Sequence, residues 1–341
     1  MLKQPINNKR LRKLLAKVMT SPRRFVNVLL VLLAYLLRLQ RVLGKPVVLD
    51  VEPVNACNFQ CPHCPVTYGD SVTKHLILEE YETIINQFPY ALRVKLQGMG
   101  EPFLNKSLLD LIGLTASRHA WCEVPTNGSA LDLEKLRSIE QFENFQLTVS
   151  IDAAEKAAFE KIRPGSDFNK IINNVDALGQ HSKLNIAAWM VVSEGNKGQV
   201  EDVIKLLAGI NVHTLGLQMV IVDYGKKVLR PKTVGKRVRH KSPGAYYKPI
   251  KECAKQNGVR LSISDKLYSK RHPCPWPWMG AFVDVSGNIV PCCAIGDASI
   301  CNMGNLYEVG FDAIWNSPDY KELRRRHKEN NIPEFCESCY R

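Results

Sequence analysis

Residues 57–64 read Cys57-Asn-Phe-Gln-Cys61-Pro-His-Cys64 and follow a β-branched run, Val47 to Val54. Three thiolates this close together can hold three corners of a [4Fe–4S] cluster, and one iron is then left without a protein ligand. An open coordination position is typical of a catalytic metal site. A single zinc ion would need a fourth ligand, and neither His63 inside the run nor the more distant His75 is well placed to supply it.

The sequence around this segment alternates short β-branched runs with amphipathic stretches. Six successive βα units predict a parallel sheet with right-handed crossovers. Because a complete barrel has eight units, the expected fold class is α/β, a partial (β/α)6 barrel. The predicted strands are Val47 to Val54, Arg93 to Gly98, Cys122 to Thr126, Gln146 to Asp152, Ile186 to Val192 and Leu215 to Val222. The predicted helices are Leu78 to Gln87, Lys106 to Arg118, Leu131 to Ile139, Lys170 to Leu178 and Gly198 to Leu207, with a further helix (Tyr247 to Gln256) and strand (Arg260 to Ser264) at the barrel edge.

The C-x3-C-x2-C segment on the loop after the first strand resembles the radical SAM superfamily, in which the open iron binds S-adenosylmethionine (SAM). His63 is a departure, because the family usually has an aromatic residue before the third cysteine. The resemblance implies that Gly98, Gly100, Glu101 and Pro102 meet the methionyl ammonium group. It also implies SAM contacts for Thr126 and Asn127, ribose hydrogen bonds for Ser150 and Asp152, and pairing of Arg163 with the cofactor carboxylate.

The implied activity is reductive cleavage of SAM to methionine and a 5′-deoxyadenosyl radical, which abstracts a hydrogen atom from a substrate C–H bond. The barrel excludes water and holds the target carbon near the radical. An external electron donor such as flavodoxin or ferredoxin is expected. No catalytic residue beyond Cys57, Cys61 and Cys64 is predicted.

A second group of cysteines lies near the C-terminus, around a predicted hairpin from Ala281–Val285 to Ile289–Cys292. Two thiolates from the hairpin region and two from a C-x2-C tail can fully ligate a second [4Fe–4S] cluster. The arrangement resembles the four-ligand version of the SPASM/twitch extension of radical SAM proteins, although a structural zinc ion is an alternative. The predicted ligands are Cys274, Cys292, Cys336 and Cys339, which leaves Cys293 and Cys301 as spare thiols or alternative ligands.

A fully ligated second cluster suits electron transfer or structural support. If it accepts an electron from a substrate radical, the net reaction is an oxidation. That favours a dehydrogenation or a crosslink over an epimerisation.

The 341-residue chain carries a formal net charge of +13, concentrated at its N-terminus. Residues 1–49 contain eleven Lys/Arg and no acidic residue, and they include the 13-residue apolar run Phe25 to Leu37. The run is too short to span a bilayer comfortably, and no small-residue cleavage site follows it. An amphipathic helix on the membrane surface is expected, with packing against the protein itself as the alternative. The predicted parts are the arm (1–46), the radical SAM barrel (47–265) and the SPASM/twitch domain (266–341).

A basic run at residues 226–241 follows the sixth predicted strand. Together with the arm, it suggests a membrane-associated or anionic substrate such as a lipid or phosphate-linked glycan, although charge runs are often simply solvated. Modification of a peptide is an alternative, as is a non-catalytic iron–sulfur or nucleic-acid-binding role. The apolar run fits lipid better than nucleic acid, so no nucleic-acid partner is expected. Ligand thiolates favour the reducing cytoplasm, and the expected surface helix would place the protein at the inner face of the membrane.

Overall fold

The structure is a computed structural model that describes residues 21–69, 72–219, 223–225, 238, 243–264 and 268–340. Its centre is a nine-stranded sheet in the order β7-β6-β5-β4-β3-β2-β1-β8-β9. All neighbouring strands are parallel except β8 and β9. The strands are β1 (Val48–Val51), β2 (Arg93–Leu96), β3 (Trp121–Thr126), β4 (Phe145–Ser150), β5 (Ile186–Val192), β6 (Thr214–Met219), β7 (Arg260–Ser264), β8 (Gly280–Val283) and β9 (Ile289–Val290).

Helices alternate with the parallel strands, as a series of right-handed crossovers requires. The α-helices of the described residues are α1 (Pro22–Leu36), α2 (Leu78–Asn86), α3 (Leu108–Ser117), α4 (Leu133–Leu136), α5 (Lys156–Ile162), α6 (Phe168–His181), α7 (Val200–Gly209), α8 (Pro243–Gln256), α9 (Trp276–Met279), α10 (Leu306–Val309), α11 (Phe311–Trp315) and α12 (Pro318–Glu329). The predicted fold class is confirmed. Each of the six predicted barrel strands is present with ends shifted by a few residues, and the end predicted for the sixth, 220–222, lies outside the described residues.

The strands separate apolar from polar side chains by simple alternation. On β1 and β2, Leu49 and Leu96 are fully buried in the hydrophobic core beneath the helices. The alternate residues of the same two strands, Asp50 and Lys95, have the opposite orientation and are polar. Strand register aligns one such row across β1 to β4: Asp50, Lys95, Glu123 and Gln146. Since barrel interiors are usually filled by branched apolar residues, a charged inner row indicates a cavity with a binding role.

The C-terminal region joins the barrel sheet directly. β8 pairs in parallel with β1, with Val48 opposite Gly280 and Val51 opposite Val283. β8 and β9 form the predicted antiparallel hairpin, and Gly287 in its turn has a φ of +84°, which glycine adopts without strain. The pairing of β8 with β1 was not predicted. The division of the chain at residues 46 and 265 stays a prediction.

One face of α1 packs against the body of the protein. Asn27, Val31 and Ala34 are buried, the ring of Tyr35 meets Trp278 edge-on at 5.8 Å between centroids, and its hydroxyl donates to the Pro273 carbonyl. The alternative interpretation of the arm is therefore correct for this face. The opposite face stays apolar and exposed, at Val26, Leu29, Leu32, Leu33, Leu36 and Leu37. Residues 1–20 lie outside the described part of the chain.

The segment after α1 is held by side chains from the C-terminal region. The indole N–H of Trp278 donates to the Leu39 carbonyl and that of Trp315 to the Gly44 carbonyl, both at 2.8 Å. The Asn316 amide exchanges two hydrogen bonds with the backbone of Val42. These contacts fix where α1 lies, because the chain between α1 and β1 is anchored at successive points.

A buried arginine completes this anchor. Arg324 on α12 has no exposed surface, and its guanidinium donates to the carbonyls of Pro277, Gln40 and Trp315 at 2.8 to 2.9 Å. It also lies over the ring of Trp315, 4.2 Å from the centroid. The planar fork of five donors lets one side chain satisfy several carbonyls that would otherwise be buried without partners.

Replacing this side chain should weaken the whole fold. We expect Arg324→Met to destabilise the protein by about 3 kcal/mol, because it leaves several buried carbonyls unsatisfied. Arg325→Met is the matched control, because Arg325 is the next residue on the helix and pairs with Glu322 and Glu329 at the surface. Urea unfolding monitored by circular dichroism measures both. Equal unfolding midpoints for the two variants would contradict the anchoring role.

Candidate active site

The three cysteines after β1 lie on a loop that folds back on itself. The Cys64 amide donates to the Cys61 carbonyl, and a short 3-10 helix, Pro65–Tyr68, follows. Thr67 donates its hydroxyl to the same Cys61 carbonyl. The three side chains line one cavity of about 270 Å³ together with His63 and residues from the ends of several strands. The structure therefore brings the predicted cysteines together at one site.

The surroundings of these thiols fit a cluster better than a single ion. Burial raises the pKa of Cys57 and Cys61, and it raises that of Cys64 to about 12, so iron binding must displace their protons. The Phe59 amide donates to the Cys57 sulfur, which stabilises negative charge there. No three His, Cys, Asp or Glu side chains of the described residues converge on one point as a single metal ion needs. A [4Fe–4S] cluster spreads its thiolates over separate irons, so the donor set fits it.

The end of β2 brings backbone close to this loop through glycine. A Cβ atom at Gly98 would lie 2.2 Å from the Glu52 side chain, and one at Gly100 would lie 2.3 Å from the Val54 carbonyl oxygen. Neither position has room for a side chain. The Met99 amide between them donates to Glu52 at 2.7 Å. These contacts hold the Gly98–Pro102 segment against the cysteine loop.

Glu101 is a buried carboxylate with neutral partners. It is 3% exposed and accepts hydrogen bonds from the Thr126 hydroxyl and the Asn127 amide, both at 2.7 Å, and from the Phe103 amide at 3.2 Å. Burial raises its pKa. Because it faces the cavity, an ammonium group placed there would supply the charge that its neutral donors do not.

Of the pair Asp152 and Arg163, only Arg163 lies at the cavity as expected. Arg163 lines the cavity, but Asp152 does not and has no exposed surface. One Asp152 oxygen accepts from Arg163 at 2.7 Å and the other from the Val191 amide at 2.7 Å. The expected direct contact of Asp152 with a ribose does not match this geometry, because the carboxylate is fully buried and does not line the cavity. Asp152 instead positions Arg163.

The remaining predicted residues lie where expected, and others were missed. Pro102, Thr126, Asn127 and Ser150 line the same cavity. Gln97, Gln218 and Tyr224 line it too and were not singled out. Gln97 and Gln218 sit at the ends of β2 and β6, so their polar character at an inward position was an available signal. Nothing in the local sequence marks Tyr224.

The four predicted ligands of the second cluster lie near one another. Burial raises the pKa of Cys292 and Cys336 well above its usual range, and in both cases the neighbouring Cys274 and Cys339 raise it further. Burial and the neighbouring Cys339 raise the pKa of Cys274 to about 12. The two leftover thiols lie beside this group but have other main charged neighbours. After burial, the largest cause that raises the pKa of Cys293 is Asp50, and the next cause for Cys301 is Asp319.

A shell of aromatic and apolar groups surrounds this second group. The Cys274 amide donates to the Tyr340 hydroxyl at 2.8 Å, and the Tyr268 amide donates to the Cys339 carbonyl at 2.9 Å. Phe282, Val290 and Ile295 form a small core against which Cys292, Cys293 and Cys336 pack. Four converging thiols in an apolar shell fit a fully ligated cluster.

Two family models match the chain. Residues 51–207 match the radical SAM superfamily and residues 274–340 match SPASM, an iron–sulfur cluster-binding domain. Among curated proteins, the PqqA peptide cyclase of Rhizobium meliloti (strain 1021) is 22% identical over 324 residues, covering 89% of this chain and 81% of the cyclase. The GTP 3′,8-cyclase of Shewanella denitrificans is 30% identical over 134 residues, covering 38% of this chain and 40% of the cyclase.

Solved structures share the fold. SuiB of Streptococcus suis bound to its precursor peptide SuiA aligns with a TM-score of 0.65 at 14% identity, covering 94% of this chain and 72% of SuiB. Native anSMEcpe with bound SAM aligns with a TM-score of 0.63 at 18% identity, covering 85% and 88% of the two chains. At such identities the likeness concerns the fold.

The fold, the two cysteine groups and these matches define an iron–sulfur enzyme class that uses SAM. The chain belongs to the radical SAM superfamily and carries a C-terminal SPASM domain. Its cofactors are SAM and the [4Fe–4S] cluster that binds SAM, and auxiliary iron–sulfur binding by the SPASM domain adds a further cluster.

Iron content tests the two ligand sets. We expect anaerobically reconstituted protein to bind about eight irons per chain, and the triple variant Cys57→Ala/Cys61→Ala/Cys64→Ala to bind about four. Cys292→Ala/Cys339→Ala should also bind about four, through loss of the other cluster. Colorimetric iron analysis measures this.

Cys293→Ser and Cys301→Ser are the controls for that measurement. Both should keep the full iron content, because neither thiol is among the seven predicted ligands, although both lie beside the second group. Loss of iron from either control would show that the ligand set is assigned incorrectly.

Proposed function

We propose that this protein is a radical SAM oxidoreductase that removes a hydrogen atom from a substrate C–H bond in a dehydrogenation or crosslinking reaction. When bound, the reduced cluster and SAM supply a 5′-deoxyadenosyl radical. The observation that carries the proposal is the single cavity in which the three cysteines face Glu101, Ser150 and Arg163. An external reductant such as flavodoxin or ferredoxin would provide the electron.

Each polar group of the cavity has a role in holding SAM. Glu101 offers a negative charge to the methionyl ammonium, and Arg163, held by Asp152, offers a positive charge to the carboxylate. Ser150 lines the same cavity, and its hydroxyl would bond the ribose. Gly98 and Gly100 let the backbone approach closely, and Thr126 and Asn127 act mainly by fixing Glu101.

Cleavage of SAM tests this proposal directly. We expect reduced, reconstituted protein to convert SAM to 5′-deoxyadenosine, because the cavity holds both the cluster cysteines and the charged groups for the cofactor. The triple variant at Cys57, Cys61 and Cys64 should produce none. Liquid chromatography with mass spectrometry measures the product. A variant that retained cleavage would support the non-catalytic alternative for the cysteines.

The oxidative character rests on where the second group of cysteines lies. Cys293 lines a second cavity, which shares six lining residues with the cavity proposed to hold SAM. Its chain neighbour Cys292 belongs to the second group of cysteines. A cluster held there would be near a substrate radical in the barrel. That placement favours transfer of an electron from substrate to the second cluster, and so a net oxidation.

Membrane-surface attachment rests on α1. The helix packs one face on the protein and leaves the other apolar and exposed, with Leu36 72% exposed. Among the residues that the structure describes, no helix has the length and hydropathy needed to cross a membrane. An exposed leucine stripe beside an arm rich in Lys and Arg matches a helix lying on an anionic cytoplasmic lipid surface.

Charge placed on this stripe should weaken lipid binding. We expect Leu29→Glu/Leu33→Glu/Leu36→Glu to lower partitioning onto phosphatidylcholine–phosphatidylserine vesicles by at least about tenfold, because inserting each leucine contributes about 1.5 kcal/mol or more. Flotation of the full chain measures it. The control Ile77→Glu/Val309→Glu changes two exposed apolar residues away from α1 and should bind normally. Equal binding by both variants would remove α1 as the lipid contact.

A peptide substrate is the second candidate. The relatives named above include a peptide cyclase and a structure bound to a precursor peptide. Transfer of deuterium from labelled cell extracts into 5′-deoxyadenosine separates the candidates, since label from a lipid extract supports a membrane substrate. Label confined to a peptide fraction would support this second candidate instead.

A further inference from the structure

A second cavity, of about 340 Å³, lies beside the cavity proposed to hold SAM and is lined by residues from the inside of the barrel. The two share Cys64, Gln97, Gly98, Met99, Gln218 and Tyr224. The deeper part is lined by the inner row of the sheet, including Asp50 and Lys95, and by Trp189, Ser264 and Trp276. A group bound here would lie beside SAM and inside a wall of polar and aromatic side chains.

Asp50 at this wall has an oxygen that lacks a strong donor. The residue is 1% exposed, and its Oδ2 accepts a hydrogen bond from Gln97 at 2.6 Å. Its Oδ1 is buried and, within the described part of the chain, accepts no hydrogen bond from an N–H or O–H group. The Cys293 thiol interacts with the Asp50 carboxylate, but a thiol is only a weak donor. Because a buried acceptor without a donor is costly, this atom points to a ligand that brings a donor.

The charges of the wall define what kind of donor fits. Glu123 contacts Arg93 at 3.1 Å and Lys95 at 3.4 Å. With Asp50 and Arg93 included, two basic side chains face two acidic ones, so a further cation such as an ammonium group is not required. The Lys95 ammonium has three N–H donors and can also bond a ligand oxygen. A neutral hydroxyl both donates to Asp50 and accepts from Lys95, which an apolar acyl chain cannot do.

We propose that this cavity takes a hydroxyl-bearing, sugar-like group, and that Asp50 is the residue that selects it by accepting a hydrogen bond from a substrate hydroxyl. The inference rests on the proposed function and narrows its substrate class. Trp189 and Trp276 supply apolar walls for the carbon face of such a group. The sugar is either free or the headgroup of a lipid-linked glycan, and both present the same chemistry to Asp50.

Selective labelling of the source organism tests the substrate class. One culture receives deuterated glucose with unlabelled fatty acids and amino acids, a second receives deuterated fatty acids, and a third receives deuterated amino acids. Wild-type enzyme with SAM and reductant is given each extract, split into lipid-linked and water-soluble fractions. Deuterium in 5′-deoxyadenosine from the glucose culture, in either fraction, supports the inference. Deuterium from only the fatty-acid or amino-acid culture overturns it.

The Asp50→Asn variant tests the residue, at iron content equal to that of the wild type. We expect label transfer from the sugar extract to fall at least about tenfold, because the charged acceptor is lost. The extract should also perturb the electron paramagnetic resonance signal of the reduced wild-type protein with SAM, and perturb that of the variant less. Asp176→Asn is the control, because Asp176 is only partly buried on the outer helix α6 and accepts from Gln180 there; it should match the wild type in both readouts. Unchanged transfer and an unchanged signal in Asp50→Asn would overturn the role of Asp50.

The outcomes separate this inference from the proposed function. If wild-type protein makes no 5′-deoxyadenosine from SAM, the proposed function itself fails. If it does, but takes deuterium only from acyl or amino-acid carbons, the radical chemistry stands and the sugar-like substrate does not.

Discussion

Strand β1 is the constraint on which the rest of the structure depends, because it is hydrogen-bonded along both edges. β2 lies on one edge and carries the Gly98–Pro102 segment, while β8 lies on the other and leads to the second group of cysteines. Glu52, just beyond β1, accepts from the Met99 amide at 2.7 Å and from the Val285 amide at 3.2 Å. One buried side chain therefore connects both neighbouring segments. Burial of this carboxyl group raises its pKa to about 7.

The interior of the barrel is organised by charge. A row of Asp50, Lys95 and Glu123 in register is expensive to bury unless its members pair with one another. Glu123 meets that requirement by contacting both Arg93 and Lys95. The arrangement leaves the Asp50 Oδ1 atom as the exception. A wall that is otherwise satisfied makes one unsatisfied acceptor informative, since the fold alone does not explain it.

Much of the fold was predictable because its signals are local. The β-branched runs and the Cys57–Cys64 spacing identified the barrel and its first cluster loop from short segments. The pairing of β8 with β1 joins residues more than 200 positions apart, and no local pattern encodes such a partner. The same limit explains Asp152, which was expected to face the cofactor. Only the fold reveals that both of its oxygens are taken by Arg163 and Val191.

The arm and the cavity together constrain any membrane substrate. A helix whose buried side is fixed by Val31 and Tyr35 cannot turn its leucine stripe inward, so within the described part of the chain that stripe stays exposed and suits an apolar partner. The cavity has the opposite preference. A hydroxyl group can form hydrogen bonds with its wall, whereas an acyl chain would leave Asp50 and Lys95 without a polar partner. If both features serve one substrate, the lipid tail must stay in the bilayer while a polar headgroup enters the barrel. A lipid-linked glycan meets both demands, whereas a simple fatty acyl chain meets only the first.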